Sequence, residues 1–388
     1  MLLSQNNQKI NLDQTEIVKF PDGDYVQGRK PRILVAPLDW GLGHATRCIP
    51  IIRELLQQGA EVSMAGEGAQ EQLLRAEFPD VPFLPLQGYR VKYASTRSGV
   101  IRKIIAQSPK FLKAIGKEHE WLKKIIKENK IDTVISDNRY GLYNAEIPCV
   151  LITHQLAIKS PFGRWSEWLL QKRNYKYINR FTECWIPDLQ GSDNLAGDLS
   201  HPVTMPKANV RYIGWLSRFK KNLLQEKTGH LLIILSGPEP QRSLFENIII
   251  RDIAHYEGSA TIVRGLPGTN ALLPSTNSIR IYNHLPAKQL NEEMEVAEFV
   301  ISRSGYSTVM DIAALQKKSI LVPTPGQTEQ EYLAGYYMEN NIALAVSQQF
   351  FSLPAEIQKA RVFHYRLPEI VSRNNLKTTI EDLLSRLR

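Results

Sequence analysis

"RILVAPLDWGLGHATRCIPIIRELLQQGAEVSMAG", residues 32–66, contains a change of texture that decides the fold. An apolar run of strand length, "RILVAP", enters a glycine loop, after which Ile49, Ile52, Leu55 and Leu56 recur at helical spacing until Gly59. "AEVSMAG" then reads as a second strand. The same strand-helix-strand order continues through "VPFLPL", a basic helical region, "IDTVISD" and "IPCVLITH". Such alternation predicts a parallel sheet with helices on both faces.

A second alternating series opens at "HLLIILSG" (230–237) and runs through "SATIVRG", "SIRIYNHL", "AEFVISRSG" and "KSILVP". The expected class is therefore α/β, with two Rossmann-like, doubly wound domains facing a cleft, where ligands bind outside the carboxyl ends of the strands. Residues 1–30 are polar and without period, and are left as a tail or edge extension. The N-terminal domain is expected over 31–212, a basic linker over 213–229 and the C-terminal domain over 230–365. Residues 366–388 end in "NNLKTTIEDLLSRLR", whose Leu376, Ile380, Leu383, Leu384 and Leu387 share one side of a helix expected to pack back on the N-terminal domain.

Composition narrows the function. The longest apolar stretches, such as "LLIIL" at 231–235, fall far short of the roughly 20 residues that cross a bilayer, and no basic-then-apolar leader opens the chain. A cytoplasmic protein is expected. Cys48, Cys149 and Cys184 are odd in number and lack ligand spacing, so neither a disulfide framework nor a zinc site is expected. The formal charge is +9, and residues 90–130 hold twelve Lys or Arg against three Glu, an excess as large as the chain's own. An anionic partner follows from that charge. Around 160–181, "SPFGRWSEWLLQKRNYKYINRF" mixes Trp165, Trp168, Leu169 and Leu170 with Lys172, Arg173 and Lys176, a composition suited to an anionic membrane surface. No nucleic-acid module accompanies these residues, and nucleic acid is not an expected partner.

Two loops carry the chemistry. "GLGHAT" has part of a dinucleotide fingerprint, with Thr46 in place of the third small residue and Glu67 near the position of a ribose-binding acid, so a nicotinamide cofactor is a weak alternative. His44 on that turn has a pKa suited to taking a proton near neutral pH, and Asp39 is placed to orient it or to cap the turn. In "ISRSGYSTVMDIAALQKKSILVPTPGQTEQEYLAGYY" (301–337), a strand runs into Arg303, Ser304 and Gly305, and a helix starting near Ser307 or Thr308 offers hydroxyls and N–H groups to a diphosphate. Asp311, one turn on, suits ribose hydroxyls. Gln327, Glu329, Gln330 and Glu331 are fit to read a sugar.

The stretch from Ser302 to Gly335 resembles the nucleotide-sugar motif of GT-B glycosyltransferases with a family 28-like C-terminal domain. These include the bacterial enzymes that add N-acetylglucosamine to the lipid-linked peptidoglycan precursor and the plant monogalactosyldiacylglycerol synthases. The resemblance implies that Ser304 and Gly305 lie near the diphosphate, that Asp311 takes the ribose and Gln330 the donor sugar, and that His284 and Leu285 lie beside the nucleobase. It implies that Gly43 leaves room for donor phosphates and that His44 is the base. It also places His154 and Gln155, at the strand end of "LITHQ", on the acceptor side, and Asp137, from "ISDNRYG", occupies another strand end there. In "SGPEPQRS" (236–243), Pro238 and Pro240 remove two backbone donors, so phosphate contact there would fall to Ser236, Gly237 and Arg242. The expected activity is inverting transfer of a hexosyl group from a UDP-sugar to a hydroxyl of a saccharide or lipid-linked, membrane-associated acceptor, with no metal and no cofactor. A nucleotide-sugar 2-epimerase and a non-catalytic nucleotide-sugar-binding protein are the alternatives.

Overall fold

The computed structural model describes residues 29–90, 107–369 and 374–387. The expected tail, and Lys92, Arg97, Arg102 and Lys103 of the basic segment, lie outside the described residues. The first sheet contains β1 (Arg32–Pro37), β2 (Glu61–Gly66), β3 (Phe83–Pro85), β4 (Thr133–Asp137), β5 (Cys149–Ile152), β6 (Glu183–Ile186) and β7 (Asn209–Tyr212). Its order is 3-2-1-4-5-6-7, and every pairing is parallel. The second has β8 (Lys227–Ile234), β9 (Ser259–Val263), β10 (Ile279–Tyr282), β11 (Ala297–Ser302), β12 (Ser319–Leu321) and β13 (Leu344–Ala345), again wholly parallel, in the order 10-9-8-11-12-13. Central strands buried on both faces explain why "ILVA" and "LLII" read as unbroken apolar runs.

Both sheets reverse direction of winding beside their first strand, at β1/β4 and at β8/β11. Loops leaving these strands diverge, opening a crevice at the carboxyl ends. Helix α1 (Leu42–Gln57) leaves β1 through Gly41, whose φ of 86° is the left-handed geometry that glycine accepts at no steric cost. Helix α2 (Ala69–Glu77) leaves β2. Helix α3 (Ser108–Asn129) precedes β4 and buries Leu122, Ile125 and Ile126 against the sheet.

The two halves share a hydrophobic cluster. It joins Ile49 and Ile52 of α1 to Val309 and Met310, and to Leu376, Ile380, Leu383 and Leu384 of the last described helix. That helix also pairs Arg386 with Glu183 (2.7 Å) and Asp382 with Arg211 (2.5 Å), both partners lying in the N-terminal domain. The linker is shorter than its composition suggests. β8 begins at Lys227, and the preceding chain is held on the C-terminal domain, where Asn222 donates its backbone N–H to both Glu295 oxygens at 2.9 Å.

Candidate active site

The register that pairs Pro37 with Asp137 brings the ends of β1 and β4 together, although 93 residues separate His44 from Asp137. His44 Nδ1 lies 3.0 Å from Asp137 Oδ1. Arg47, one turn further along α1, donates Nε–H to Asp137 Oδ2 at 2.6 Å and also hydrogen-bonds Oδ1 through Nη2. Asp137 is fully buried, which raises a carboxyl pKa, yet the Arg47 guanidinium and His44 outweigh burial and hold it at about 2. For His44 the balance goes the other way: burial lowers its pKa more than Asp137 raises it, with Arg47 adding to the lowering. The lowered pKa favours a neutral imidazole, and in the tautomer whose Nδ1–H is directed at Asp137 the Nε2 lone pair is left to accept a proton.

His154 follows β5. Its Nδ1 lies 3.3 Å from Arg47 Nη1 and its Nε2 lies 2.7 Å from Glu329 Oε1, while Gln155 donates to Glu329 Oε2. Glu329 belongs to helix α8 (Thr328–Glu339) of the C-terminal domain, so this contact crosses the cleft. Partial burial works against its ionisation, but His154 draws its pKa below the ordinary carboxylate value. The His154 ring stacks on Tyr306 with centroids 4.1 Å apart, and the Tyr306 hydroxyl donates to the Pro187 carbonyl at 2.8 Å.

Tyr306 opens helix α7 (Tyr306–Ala314), which Gly305 precedes. No side chain caps its first turn and no acid occupies it, and the same holds for α1. Two bare helix N-termini thus approach one another at the mouth of the cleft, a setting for a diphosphate. Glycine at 43 suits this close approach. A Cβ there would stand 3.0 Å from Ser307 Oγ, and Ser307 donates to the Gly43 carbonyl at 2.9 Å.

Several expected residues are differently employed. Asp39 does not orient His44: its two oxygens accept from the backbone N–H groups of Tyr89 and Arg90 at 2.7 and 2.8 Å, and Asp137 takes the orienting place. Glu67, the acid of the nicotinamide alternative, is engaged by Arg90 at 2.6 and 2.8 Å. Arg242 is buried and neutralised by Glu239 (2.5 Å) and Glu246 (3.2 Å). Glu239 also accepts from the Ser243 N–H at 3.2 Å, leaving Ser236 and Gly237 as the open part of that loop. Arg303 is buried, its pKa pushed down to about 9 by desolvation, and it donates to the carbonyls of Gln241, Val322 and Pro323 and to Gln348, joining loops beneath the site.

Ser304 bonds the Gln330 carbonyl at 2.8 Å, and the Gln330 and Glu331 side chains accept from Thr324 and Gly326 N–H groups, so all three shape the Pro/Gly loop. Thr308 stands beside Ser307 in the first turn of α7. Asp311 accepts from Ser217 Oγ at 2.7 Å. Leu285 is buried, whereas His284 is exposed, with its pKa lowered first by desolvation and then by Arg218.

Arg47 and Arg218 were not legible as site residues. Arg218 lies close enough to Asp311 and His284 to affect the charge of both sites, and its buried Nε has no hydrogen-bond partner among the described residues. A lone arginine after glycine in "GWLSR" was the available signal. Among the described residues no group of three or more His, Cys, Asp and Glu is placed to hold a metal.

Residues 272–386 match the glycosyltransferase family 28 C-terminal domain. A curated UDP-N-acetylglucosamine--N-acetylmuramyl-(pentapeptide) pyrophosphoryl-undecaprenol N-acetylglucosamine transferase from Haemophilus ducreyi is 24% identical over 80% of this chain and 83% of its own. The protein of the same name from Buchnera aphidicola is 29% identical, over 34% of this chain and 38% of that relative. An uncharacterized glycosyltransferase of Methanosarcina acetivorans is 22% identical over 84% of this chain and 87% of its own. In fold the chain is similar to the glycosyltransferase SnogD from Streptomyces nogalater, with TM-score 0.62, 13% identity and coverage of 93% of this chain and 100% of that one. The glycotransferase of kitacinnamycin gives TM-score 0.60 at 16% identity, covering 93% and 95%.

Proposed function

From a chain that is a GT-B glycosyltransferase with a family 28 C-terminal domain, we infer an inverting transfer of a hexosyl group from a UDP-sugar to the hydroxyl of a membrane-associated acceptor. The observation that carries this reading is the His44–Asp137–Arg47 cluster facing the bare N-terminus of α7 across the cleft. His44 Nε2 accepts the acceptor's hydroxyl proton as that oxygen bonds to the sugar C1. The bond from C1 to the diphosphate breaks on the opposite face, inverting the anomeric centre, and the nucleoside diphosphate leaves with the electron pair. Asp137 stabilises the imidazolium that forms. The N-termini of α1 and α7, with Arg218, oppose the growing charge on the leaving group, which is fixed electrostatic stabilisation that needs no metal.

UDP is favoured as the nucleotide because the named relatives use UDP-N-acetylglucosamine. A peripheral place on the cytoplasmic membrane face is supported by helix α4 (Arg164–Ile178), where Trp165 and Trp168 are 73% and 56% exposed beside Lys172 and Arg173. No described helix is long and apolar enough to cross a membrane.

The test is UDP release from a panel of UDP-sugars in the presence of mixed membrane lipids. His44→Ala should abolish release while leaving the UDP-induced thermal shift intact; unchanged release refutes the base. For the membrane, Trp165→Ser with Trp168→Ser should lower cosedimentation with phosphatidylglycerol vesicles, and equal binding by both proteins refutes that face.

A further inference from the structure

The two domains touch along a line of contacts that changes character from one end to the other. At one end Ile49 and Ile52 of α1 share an apolar cluster with Val309, Met310 and the last described helix. Next along, Ser307 donates to the Gly43 carbonyl at 2.9 Å, the His154 ring stacks on Tyr306, and His154 and Gln155 bond Glu329. The line ends on one face of α8, where Thr328, Tyr332 and Tyr336 recur at intervals of four residues. Thr328 donates to the Lys159 carbonyl at 3.0 Å, the Tyr332 hydroxyl accepts from the Asp198 N–H at 2.8 Å, and the Tyr336 hydroxyl donates to the Asn194 carbonyl at 3.2 Å. Both rings lie against Gly197, where a Cβ would stand 2.5 Å from the Tyr332 oxygen and 3.0 Å from the Tyr336 ring.

The two ends differ in what parting them costs. Parting the first exposes buried aliphatic side chains to water. Along α8, each bond broken exchanges for one with water, at small net cost. A rotation of one domain against the other therefore turns about the apolar end and opens at α8. The Ser307–Gly43 bond lies between them and closes the gap separating the N-termini of α1 and α7, so a diphosphate held by both must part it.

We propose that the Tyr332 and Tyr336 face of α8 is a catch that holds the cleft shut against its donor, so that UDP binding has to release it. The proposal rests on the reading of the α1 and α7 N-termini as the diphosphate site. The catch acts through populations: a ligand that binds only the parted form has its dissociation constant raised by the scarcity of that form.

Tyr332→Phe combined with Tyr336→Phe removes both cross-cleft hydroxyl bonds and keeps the rings on Gly197. By titration calorimetry the folded variant should bind UDP about tenfold more tightly than wild type; equal or weaker binding overturns the proposal. The converse arm uses Asp193→Cys with Glu339→Cys, exposed positions beside the Asn194–Tyr336 contact, in a chain whose Cys48, Cys149 and Cys184 are buried. Joining the two new thiols through a short bis-methanethiosulfonate linker should abolish UDP binding, and reduction should restore it. A linked protein that binds UDP as the reduced one does overturns the proposal, and this arm alone decides if the double Phe variant loses its cooperative melting transition. Failure of the transferase reading looks different: the unlinked protein would not bind UDP at all. Nitroxides on the same two cysteines then read the catch directly, and their separation should lengthen when both tyrosines become Phe; an unchanged separation overturns the proposal.

Discussion

Replacing Asp137 by Asn removes one charge while keeping the shape of the side chain. His44 Nδ1 is 3.0 Å from the carboxylate oxygen and 2.9 Å from Arg47 Nη2, so the substitution leaves a developing imidazolium facing a guanidinium with nothing between them to balance it. Two unit charges about 4 Å apart interact by about 4 kcal/mol at an effective dielectric of about 20. Losing that stabilisation in the transition state corresponds to about a thousandfold fall in kcat. The same loss lowers the His44 pKa, already below its ordinary 6.5 because of burial, so the acid limb of the rate profile moves to lower pH while the plateau drops. Stability suffers separately. Breaking a buried pair by removing one partner costs about 3–5 kcal/mol, and Arg47 would be left as the orphaned cation. Arg47→Met combined with Asp137→Asn should recover most of that stability and part of the rate. The assay is UDP release across pH 5–9, with chemical denaturation and UDP binding measured on the same samples. A folded Asp137→Asn enzyme with kcat within tenfold of wild type, or an acid limb that moves to higher pH, refutes the argument.

Acid should test the same carboxylate without mutation. The folded pKa of Asp137 is about 2 against an ordinary 3.8, so its contribution of about 2 kcal/mol is complete above pH 4 and is lost as pH falls towards 2; urea midpoints through that window should decline more steeply in wild type than in Asp137→Asn. Arg218→Met should weaken UDP binding 10-fold or more by titration calorimetry with a smaller effect on melting temperature than Asp137→Asn, because its buried Nε has no hydrogen-bond partner among the described residues. Leu383→Ala empties a fully buried position of the shared cluster and should cost about 2–5 kcal/mol; if the cluster couples the domains, both should unfold in one transition that moves to lower denaturant.

The parts legible in sequence are those written in local chemistry. Apolar runs entering glycine turns at Gly41 and Gly237 announce two parallel α/β units because a strand buried on both faces must be apolar throughout. Short strands such as β7 (Asn209–Tyr212) and β13 (Leu344–Ala345) leave too few residues for a period to show, and they go unseen. His44 stands out for being a titratable group on a glycine loop. Its partner does not, because Asp39, three residues before Leu42, is the near carboxylate, whereas the true neighbour arrives through strand register from Asp137. Near charges mislead in the other domain as well: Arg242 looks free for phosphate until helix spacing places Glu239 and Glu246 one turn to either side of it.

These misplacements share a physical cause that also explains how the site is built. A carboxylate at a loop is attracted to whichever unsatisfied N–H groups the loop leaves, and Asp39 and Glu239 are consumed by backbone donors at Tyr89, Arg90 and Ser243. Asp137 ends a buried strand, where Arg47, His44 and Cys48 are the side chains that reach it. Burial removes competing water and strengthens the interaction with the imidazole, and Arg47 keeps the carboxylate ionised at the pH where His44 is neutral. The arginine thus has opposing effects: it lowers the basicity of His44 directly and preserves the anion that restores it. A base poised below neutrality requires both, so substituting Arg47 alone should raise the His44 pKa and shift the acid limb of the rate to higher pH, opposite to the shift expected from Asp137→Asn.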